Sequence, residues 1–289
     1  MRIVLASIVV VALSLAVPAA KPKKVLLLTH NTFYNHSNLQ AIEDMVPVWG
    51  KDAGYTVTSL HGWKQTAAST TQKPCDPSVA DLSMITRTYL EQFDAIVAST
   101  NGELPFTEEG KKGLVDFVNK DGKGIVFLHQ SMVTLYGFKG WGDLLGAYAG
   151  GGTMLFDGTN TAKRPAVMRV EDRTHPATRH LPEHWTLDDE FYRFASRVGD
   201  IGPTRHPAPL AFDRRNVHVL VSFDSERTDF TGAPAGWEKG GDYPQVWCQT
   251  IGKGRTFYTA IGHREDLWRS DRTYKQFIVG AIRWVLKLS

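Results

Sequence analysis

The stretch Gly124-Ile-Val-Phe-Leu-His129 is a short apolar run that stops at a histidine. Two further runs share this form, Val25-Leu-Leu-Leu-Thr-His30 and Phe257-Tyr-Thr-Ala-Ile-Gly-His263. Short aliphatic and β-branched runs of this kind predict buried strands. In an open α/β sheet, ligands bind just beyond the carboxyl ends of the strands. We therefore expect the imidazoles of these runs to meet at one edge of a sheet and to form a site there.

Helical and strand-like segments alternate along the rest of the chain. Helices are predicted at about 38–53, 80–91, 107–121 and 272–287, and further strands at 55–60, 93–99, 165–170, 217–223, 245–250 and 256–261. Such alternation predicts a three-layer α/β/α fold with a doubly wound, mostly parallel sheet. Residues 130–165, with Gly150-Gly-Gly152, are expected to be irregular apart from a helical piece around 142–148.

The first 20 residues are expected to lie outside the fold. Met1-Arg2 is followed by a mostly apolar stretch over 3–17 and by small residues at Val17-Pro-Ala19, which is typical of a secretory signal peptide. The apolar stretch is shorter than the roughly 20 residues that span a bilayer. The sequence therefore predicts a secreted or periplasmic protein with a single domain over 21–289 and no membrane attachment after cleavage.

The distribution of charged residues limits the classes of partner that we expect for this protein. The formal net charge is +3 at pH 7, and Lys21-Pro-Lys-Lys24 is the only short basic run that stands out. This distribution does not indicate a nucleic-acid-binding surface.

Cys75 and Cys248 are the two cysteines. In an oxidising compartment they could pair, or they could remain two independent thiols.

Several polar residues are expected at the carboxyl edge of the sheet. In a flavodoxin-like strand order the first, third and fourth strands are neighbours, which would bring His30, the turn at Asn101 and His129 together. His263 joins them only if the last strand also runs parallel. His129 could be a reactive group or could simply cap the strand by bonding a nearby carbonyl. Asp188-Asp189-Glu190 could supply a carboxylate or be a solvated acidic turn.

A metal ion is an open possibility at this edge. Three histidines with a carboxylate suit a divalent ion such as zinc, and the candidate ligands are His30, His129, His263 and Asp189. No two of these candidate histidines stand at the short spacing that is typical of zinc ligands. Metal binding and direct proton transfer by the imidazoles therefore both remain possible.

The chain resembles the ThuA-like (trehalose-utilisation) family, whose fold is that of the class I glutamine amidotransferase-like superfamily. The similarity rests on Tyr34-Asn-His36-Ser37, the block ending at His129, Asp189-Glu-Phe-Tyr192 and the block from Gly252 to His263. It implies a flavodoxin-like sheet with additional C-terminal strands and a role in carbohydrate metabolism. It also implies His36, His129, Glu190 and His263 as site residues. Amidotransferases of the superfamily use a cysteine nucleophile where this chain has His129, which excludes thioester chemistry.

The leading functional hypothesis is an exported enzyme that acts on a small carbohydrate, either a sugar or a keto-sugar. His129, Glu190 and His263 would be catalytic, with acid-base chemistry leading to isomerisation, elimination or hydrolysis. His30, His36, Asn101 and Tyr192 are the expected substrate-binding residues. The alternatives are a non-catalytic carbohydrate-binding protein and a zinc-dependent hydrolase.

Overall fold

The computed structural model describes residues 21–63, 82–155 and 165–288. The signal peptide predicted over 1–20 and the possible partner thiol Cys75 lie outside the described residues. Cys248 is buried in the sheet.

The structure contains eleven strands and six α-helices in the described residues. The strands are β1 (Lys23–His30), β2 (Tyr55–Gly62), β3 (Ala95–Ala98), β4 (Gly124–Leu128), β5 (Ala149–Leu155), β6 (Ala166–Val170), β7 (His184–Leu187), β8 (Glu190–Phe194), β9 (His218–Phe223), β10 (Pro244–Ile251) and β11 (Gly254–Thr259). The helices are α1 (Leu39–Ala53), α2 (Arg87–Glu91), α3 (Glu108–Asn119), α4 (Lys139–Leu145), α5 (Glu265–Arg269) and α6 (Arg272–Val285).

Nine strands form one mixed sheet in the order β2-β1-β3-β4-β11-β10-β9-β6-β7. The first five of these run parallel, in the 2-1-3-4-5 arrangement of flavodoxin-like folds. The antiparallel partners β10, β9, β6 and β7 extend the sheet beyond β11. This confirms the predicted mostly parallel fold with additional C-terminal strands. Because β11 runs parallel to β4, the condition for bringing His263 to the edge of His129 is met.

Helices cover both faces of the sheet. Val25 and Leu27 of β1 pack in one apolar cluster with residues of α1 and α6. Leu26 and Leu28 belong to a second cluster with residues of α2, α3 and α4. Successive side chains of a strand point to opposite faces, so each central strand contributes to both clusters. The three-layer architecture predicted from the sequence follows from this alternation.

The predicted helix at 80–91 is wrong over the first half of its described length. Helix α2 begins only at Arg87, after a turn, and ends at Glu91. The Thr86 side chain sets this start, because its hydroxyl accepts a hydrogen bond of 3.1 Å from the Tyr89 amide. Thr107 caps α3 in the same way, as predicted, by accepting from the Gly110 amide at 3.0 Å.

The predicted loop at Gly150-Gly-Gly152 is also wrong. These residues belong to β5, which pairs antiparallel with β8 in a separate two-stranded sheet. A β-carbon added at Gly150 would lie 2.8 Å from the Phe194 carbonyl oxygen, so glycine allows the close approach of the strands. Strand pairing between segments about 40 residues apart in the chain supplies the order that the local composition does not indicate.

No helix in the described part of the chain combines the length and the apolar composition needed to cross a membrane.

Two buried histidines, His30 and His175, make the folded protein less stable in acid. Burial lowers the pKa of His30 and of His175 from 6.5 to about 4. Unfolding restores the ordinary pKa, so the unfolded chain binds more protons between pH 6.5 and 4, and stability falls as the pH falls through that window. The loss is up to about 3 kcal/mol for each histidine.

Chemical denaturation at about pH 7 and about pH 4.5 tests this expectation with the variant His175→Asn. The asparagine oxygen can accept the hydrogen bond that the Ala177 amide donates to His175 Nδ1 at 3.1 Å, but asparagine does not titrate. We expect the variant to lose less stability on acidification than the wild type. Equal losses in both proteins would contradict the buried-histidine explanation.

Candidate active site

His129 stands at the junction between β4 and the short 3-10 helix His129–Val133. Its φ of 34° lies in the left-handed region, which non-glycine residues rarely adopt, and its side chain is fully buried. The Nδ1 atom lies 2.5 Å from the Ala260 carbonyl oxygen, immediately after β11. A carbonyl oxygen only accepts hydrogen bonds, so Nδ1 carries a proton, and in the neutral form of the ring Nε2 presents a lone pair.

Three other side chains converge in front of this lone pair. The His129 Nε2 atom lies 3.1 Å from Glu190 Oε2 and 3.2 Å from His263 Nδ1. Glu190 Oε2 is also 2.6 Å from His263 Nδ1 and 3.8 Å from His36 Nε2. His36, His129, Glu190 and His263 each offer one atom that could bind a metal ion, and these four atoms all lie within 4.8 Å of one another. We refer to these four residues as the histidine–glutamate cluster.

Burial and mutual charge set the protonation states in the cluster. Burial lowers the pKa of His36 well below 6.5, and the neighbouring imidazoles of His129 and His263 lower it further. Burial alone would raise the pKa of Glu190, but the imidazoles of His129 and His263 beside Oε2 outweigh it and hold that pKa well below 4.5. At neutral pH the cluster therefore combines a carboxylate with a neutral His36 ring.

Tyr192 is the one hydroxyl that reaches several members of the cluster among the described residues. Its Oη atom lies 3.2 Å from His129 Nε2, 3.4 Å from His36 Nε2 and 3.5 Å from Glu190 Oε2. Burial and the nearby Glu190 charge raise the pKa of Tyr192 well above 10. The phenol therefore keeps its proton at neutral pH and can donate it in a hydrogen bond to the cluster.

The loop that carries His36 is held by two asparagines. Asn101 Oδ1 accepts hydrogen bonds from the amides of Phe33 and Tyr34, at 3.2 and 3.1 Å. Asn101 Nδ2 donates to the Tyr34 carbonyl oxygen at 2.6 Å. Asn38 Nδ2 donates to the Gly262 carbonyl oxygen at 2.6 Å, which ties this loop to the one that carries His263. Asn101, predicted to bind substrate, thus has the contacts of a positioning residue.

Asp189 holds the opposite side of the cluster through backbone amides. Its Oδ2 atom accepts hydrogen bonds from the amides of Gly262 and His263, at 2.5 and 3.3 Å. Its Oδ1 atom accepts from the Arg264 amide at 3.1 Å. The side chain is fully buried, and burial raises the pKa of its carboxyl group. Asp189 therefore fixes the loop 262–264 and does not contribute a donor atom to the histidine–glutamate cluster.

The structure brings most of the predicted site residues together, but not all. His129, Glu190 and His263, predicted as catalytic, and His36 form the cluster, with Tyr192 beside it. His30 is not part of the cluster. It ends β1 as expected, but its ring packs against Gly62 at the end of β2, where an added β-carbon would lie 2.1 Å from it. Of the four metal candidates, only His129 and His263 belong to the cluster.

The positioning roles of Asn38, Asn101 and Asp189 do not follow from the sequence patterns. The sequence predicts Asp189 as a candidate metal ligand, but its carboxylate binds backbone amides, and Glu190, the first residue of β8, supplies the carboxylate of the cluster. Alternation along an extended segment sends the neighbouring carboxylates to different places. The aromatic residues Phe191 and Tyr192 after the acidic residues were the available signal for a strand at this point.

The donor set of the cluster fits a divalent metal ion. Zinc binds nitrogen and oxygen ligands at about 2.0–2.2 Å, so neighbouring ligand atoms in a tetrahedral site lie roughly 3.3 Å apart. The distances of 2.6 to 3.8 Å between Glu190 Oε2 and the three imidazole nitrogens bracket this value. His129 also shows the usual support of a metal-binding imidazole, a hydrogen bond from its other nitrogen to a carbonyl.

Comparison with solved structures shows related folds. A ThuA-like protein from Bacteroides uniformis is 20% identical, with a TM-score of 0.57, and the match covers 93% of this chain and 95% of that one. A ThuA-like protein from Parabacteroides merdae is 18% identical, with a TM-score of 0.60 and coverage of 92% and 90%. The carbohydrate deacetylase Agd3 is 13% identical, with a TM-score of 0.50, and the match covers 91% of this chain but 32% of that one.

A search of curated protein sequences finds no match. The family model described as "ThuA: Trehalose utilisation" matches residues 24–285, which include every strand and helix described above except the first residue of β1. This match agrees with the fold and with the ThuA-like solved structures. The chain therefore belongs to the ThuA family.

Proposed function

We propose that this protein is an enzyme that acts on a small carbohydrate with the help of a divalent metal ion held by the histidine–glutamate cluster. The observation that carries the proposal is the convergence of three imidazole nitrogens and one carboxylate oxygen within 4.8 Å. The class of substrate is supported by membership of a family described by trehalose utilisation. The fold similarity to a carbohydrate deacetylase is consistent with this class.

The distribution of protons and lone pairs in the cluster favours a metal ion over a network of hydrogen bonds alone. His129 Nε2 is an acceptor in the neutral ring, yet it faces Glu190 Oε2, another acceptor, at 3.1 Å. Two lone pairs at this distance repel each other unless a cation lies between them. A shared proton can relieve one such contact, whereas a divalent ion relieves all of them at once. The lowered pKa values of His36 and Glu190 keep both residues available as ligands at neutral pH.

The chain's own residues would then orient the reaction. A bound divalent ion supplies Lewis-acid polarisation of a sugar oxygen. The protonated Tyr192 hydroxyl lies beside the cluster and can donate a hydrogen bond to a developing negative charge. Asp189 and Asn101 hold the loops of His263 and His36 in place. The form to assay is the mature chain that starts near residue 21, because we also propose export with removal of residues 1–20.

Metal analysis and chelation test the proposed function. The mature protein is expected to bind about one equivalent of Zn2+ or another first-row divalent ion, since the cluster is one site with one donor set. Neutral disaccharides and their keto derivatives are then screened for turnover. We expect chelation to abolish turnover and the same metal to restore it.

Two results would contradict parts of this proposal. Turnover that survives chelation, with metal far below one equivalent, would remove the metal and leave proton transfer by the imidazoles and Glu190. Sugar binding without turnover by the metal-loaded protein would instead support a carbohydrate-binding protein.

A further inference from the structure

A pocket of about 470 Å3 is lined in part by His263. Its lining residues are Ser37, His263, Arg264, Glu265, Asp266, Arg269 and Ser270. His263 belongs both to this pocket and to the histidine–glutamate cluster, because its Nδ1 atom lies 2.6 Å from Glu190 Oε2. A ligand in the pocket would therefore contact a residue of the proposed catalytic centre.

Both arginines of the pocket are already paired with carboxylates. Arg264 forms a two-point contact with Asp266, with Nε–Oδ1 and Nη2–Oδ2 distances of 2.9 Å, and lies 3.6 Å from Asp188. Arg269 pairs with Glu265 at 2.5 Å and with Asp44 at 3.0 Å. Two guanidinium groups thus face four carboxylates. The lining itself is balanced, with two arginines and two carboxylates, but Asp44 and Asp188 beside it make this group of charged side chains net negative. The described lining offers no unpaired arginine to an anionic ligand.

The same groups suit the hydroxyls of a sugar. Guanidinium groups donate hydrogen bonds, carboxylates accept them, and the hydroxyls of Ser37 and Ser270 can do both. Each sugar hydroxyl can also donate and accept. The described lining carries no tryptophan, tyrosine or phenylalanine, so recognition here would depend on hydrogen bonds and not on stacking.

We propose that this pocket is a subsite for a neutral saccharide unit and that it selects against acidic and phosphorylated sugars. The inference deepens the proposed function and depends on it for the reaction, but not for the binding itself. Asp266 is the residue expected to discriminate most, because it both accepts hydrogen bonds from the ligand and neutralises Arg264.

NMR titration of the isotopically labelled mature protein tests the subsite. Glucose, maltose and α,α-trehalose are added first, followed by the 6-phosphate and the C6 carboxylate derivative of each sugar that binds. We expect signals of His263, Arg264 and Ser270 to shift with a neutral sugar. The acidic derivatives should bind about 10-fold more weakly or worse, because they must approach the net negative group that Asp44 and Asp188 form with the charged lining residues.

The variants Asp266→Asn and Asp121→Asn provide the matched comparison. Asp266→Asn should weaken neutral-sugar binding about 5- to 10-fold and reduce the discrimination against phosphate, because Arg264 loses a partner. Asp121 pairs with Arg87 at 2.6 Å just before β4, at the opposite edge of the sheet, and its substitution should change neither property.

Tighter binding of the acidic derivatives, shifts outside the pocket, or no shift at millimolar sugar would each overturn the inference. Titrations with and without metal separate this result from the proposed function. Shifts in the metal-free protein support the subsite even if no metal centre exists, and full metal binding without sugar shifts removes the subsite alone.

Discussion

Replacing His129 with alanine is expected to cause the largest functional loss of any single substitution in this protein. The change removes one donor atom of the proposed metal site and leaves Glu190 Oε2 and His263 Nδ1 without the imidazole that both of them contact. We expect metal affinity to fall by roughly 10³-fold or more and turnover to fall by at least about 10³-fold. Metal analysis and steady-state kinetics on the mature protein measure the two effects.

Two companion variants separate loss of the site from loss of the fold. Glu190→Gln keeps the shape of the side chain but removes its charge, and should also abolish metal binding. His218→Ala removes a histidine that is 61% exposed at the start of β9 and pairs with Asp172 at 2.8 Å. Because β9 runs parallel to β11, His218 lies at the opposite edge of the sheet and its loss should leave turnover unchanged.

The His129→Ala protein should keep its circular dichroism spectrum while losing the increase in melting temperature that added metal gives the wild type. Retention of a full metal equivalent and of turnover by folded His129→Ala protein would refute both the metal centre and the acid-base alternative.

Replacing Asp189 with asparagine is expected to give the second largest effect, on stability and metal affinity together. The carboxylate accepts three backbone hydrogen bonds in a fully buried position. The asparagine side chain has one oxygen and one NH2 group. Its NH2 group would face one or more of these backbone N–H groups and leave them without an acceptor. We expect a loss of about 2–4 kcal/mol in the free energy of unfolding. The freed His263 loop should weaken metal binding about 10- to 100-fold.

The neighbouring residue supplies the control for this experiment. Asp188 has a side chain that is 40% exposed and lies 3.6 Å from Arg264, so Asp188→Asn should change stability by no more than about 0.5 kcal/mol. Denaturant unfolding with and without metal compares the two variants. Similar stability of Asp189→Asn and Asp188→Asn would show that the Asp189 carboxylate does not hold the loop.

Local patterns in the sequence were sufficient for the parallel half of the fold. The apolar runs that end near His30, His129 and His263 predict strands because burial on both faces requires continuous apolar sequence. They become β1, β4 and β11 in the observed order. By contrast, β5, β7 and β8 were not predicted. Their order depends on partners distant in sequence, as in the pairing of Ala149 with Phe194.

The same distinction between local sequence pattern and tertiary structure applies to the residues of the site. The sequence by itself determined that His129 and His263 each follow a buried strand, because strand ends follow from apolar patterning. It left open whether the last strand runs parallel, which the structure shows. Only the tertiary structure decided that Glu190 enters the cluster while Asp189 binds amides, and that His30 packs on Gly62 instead of facing His129. The direction of each side chain depends on the face its backbone presents and on its packing neighbours, and neither is encoded within a few residues of the side chain itself.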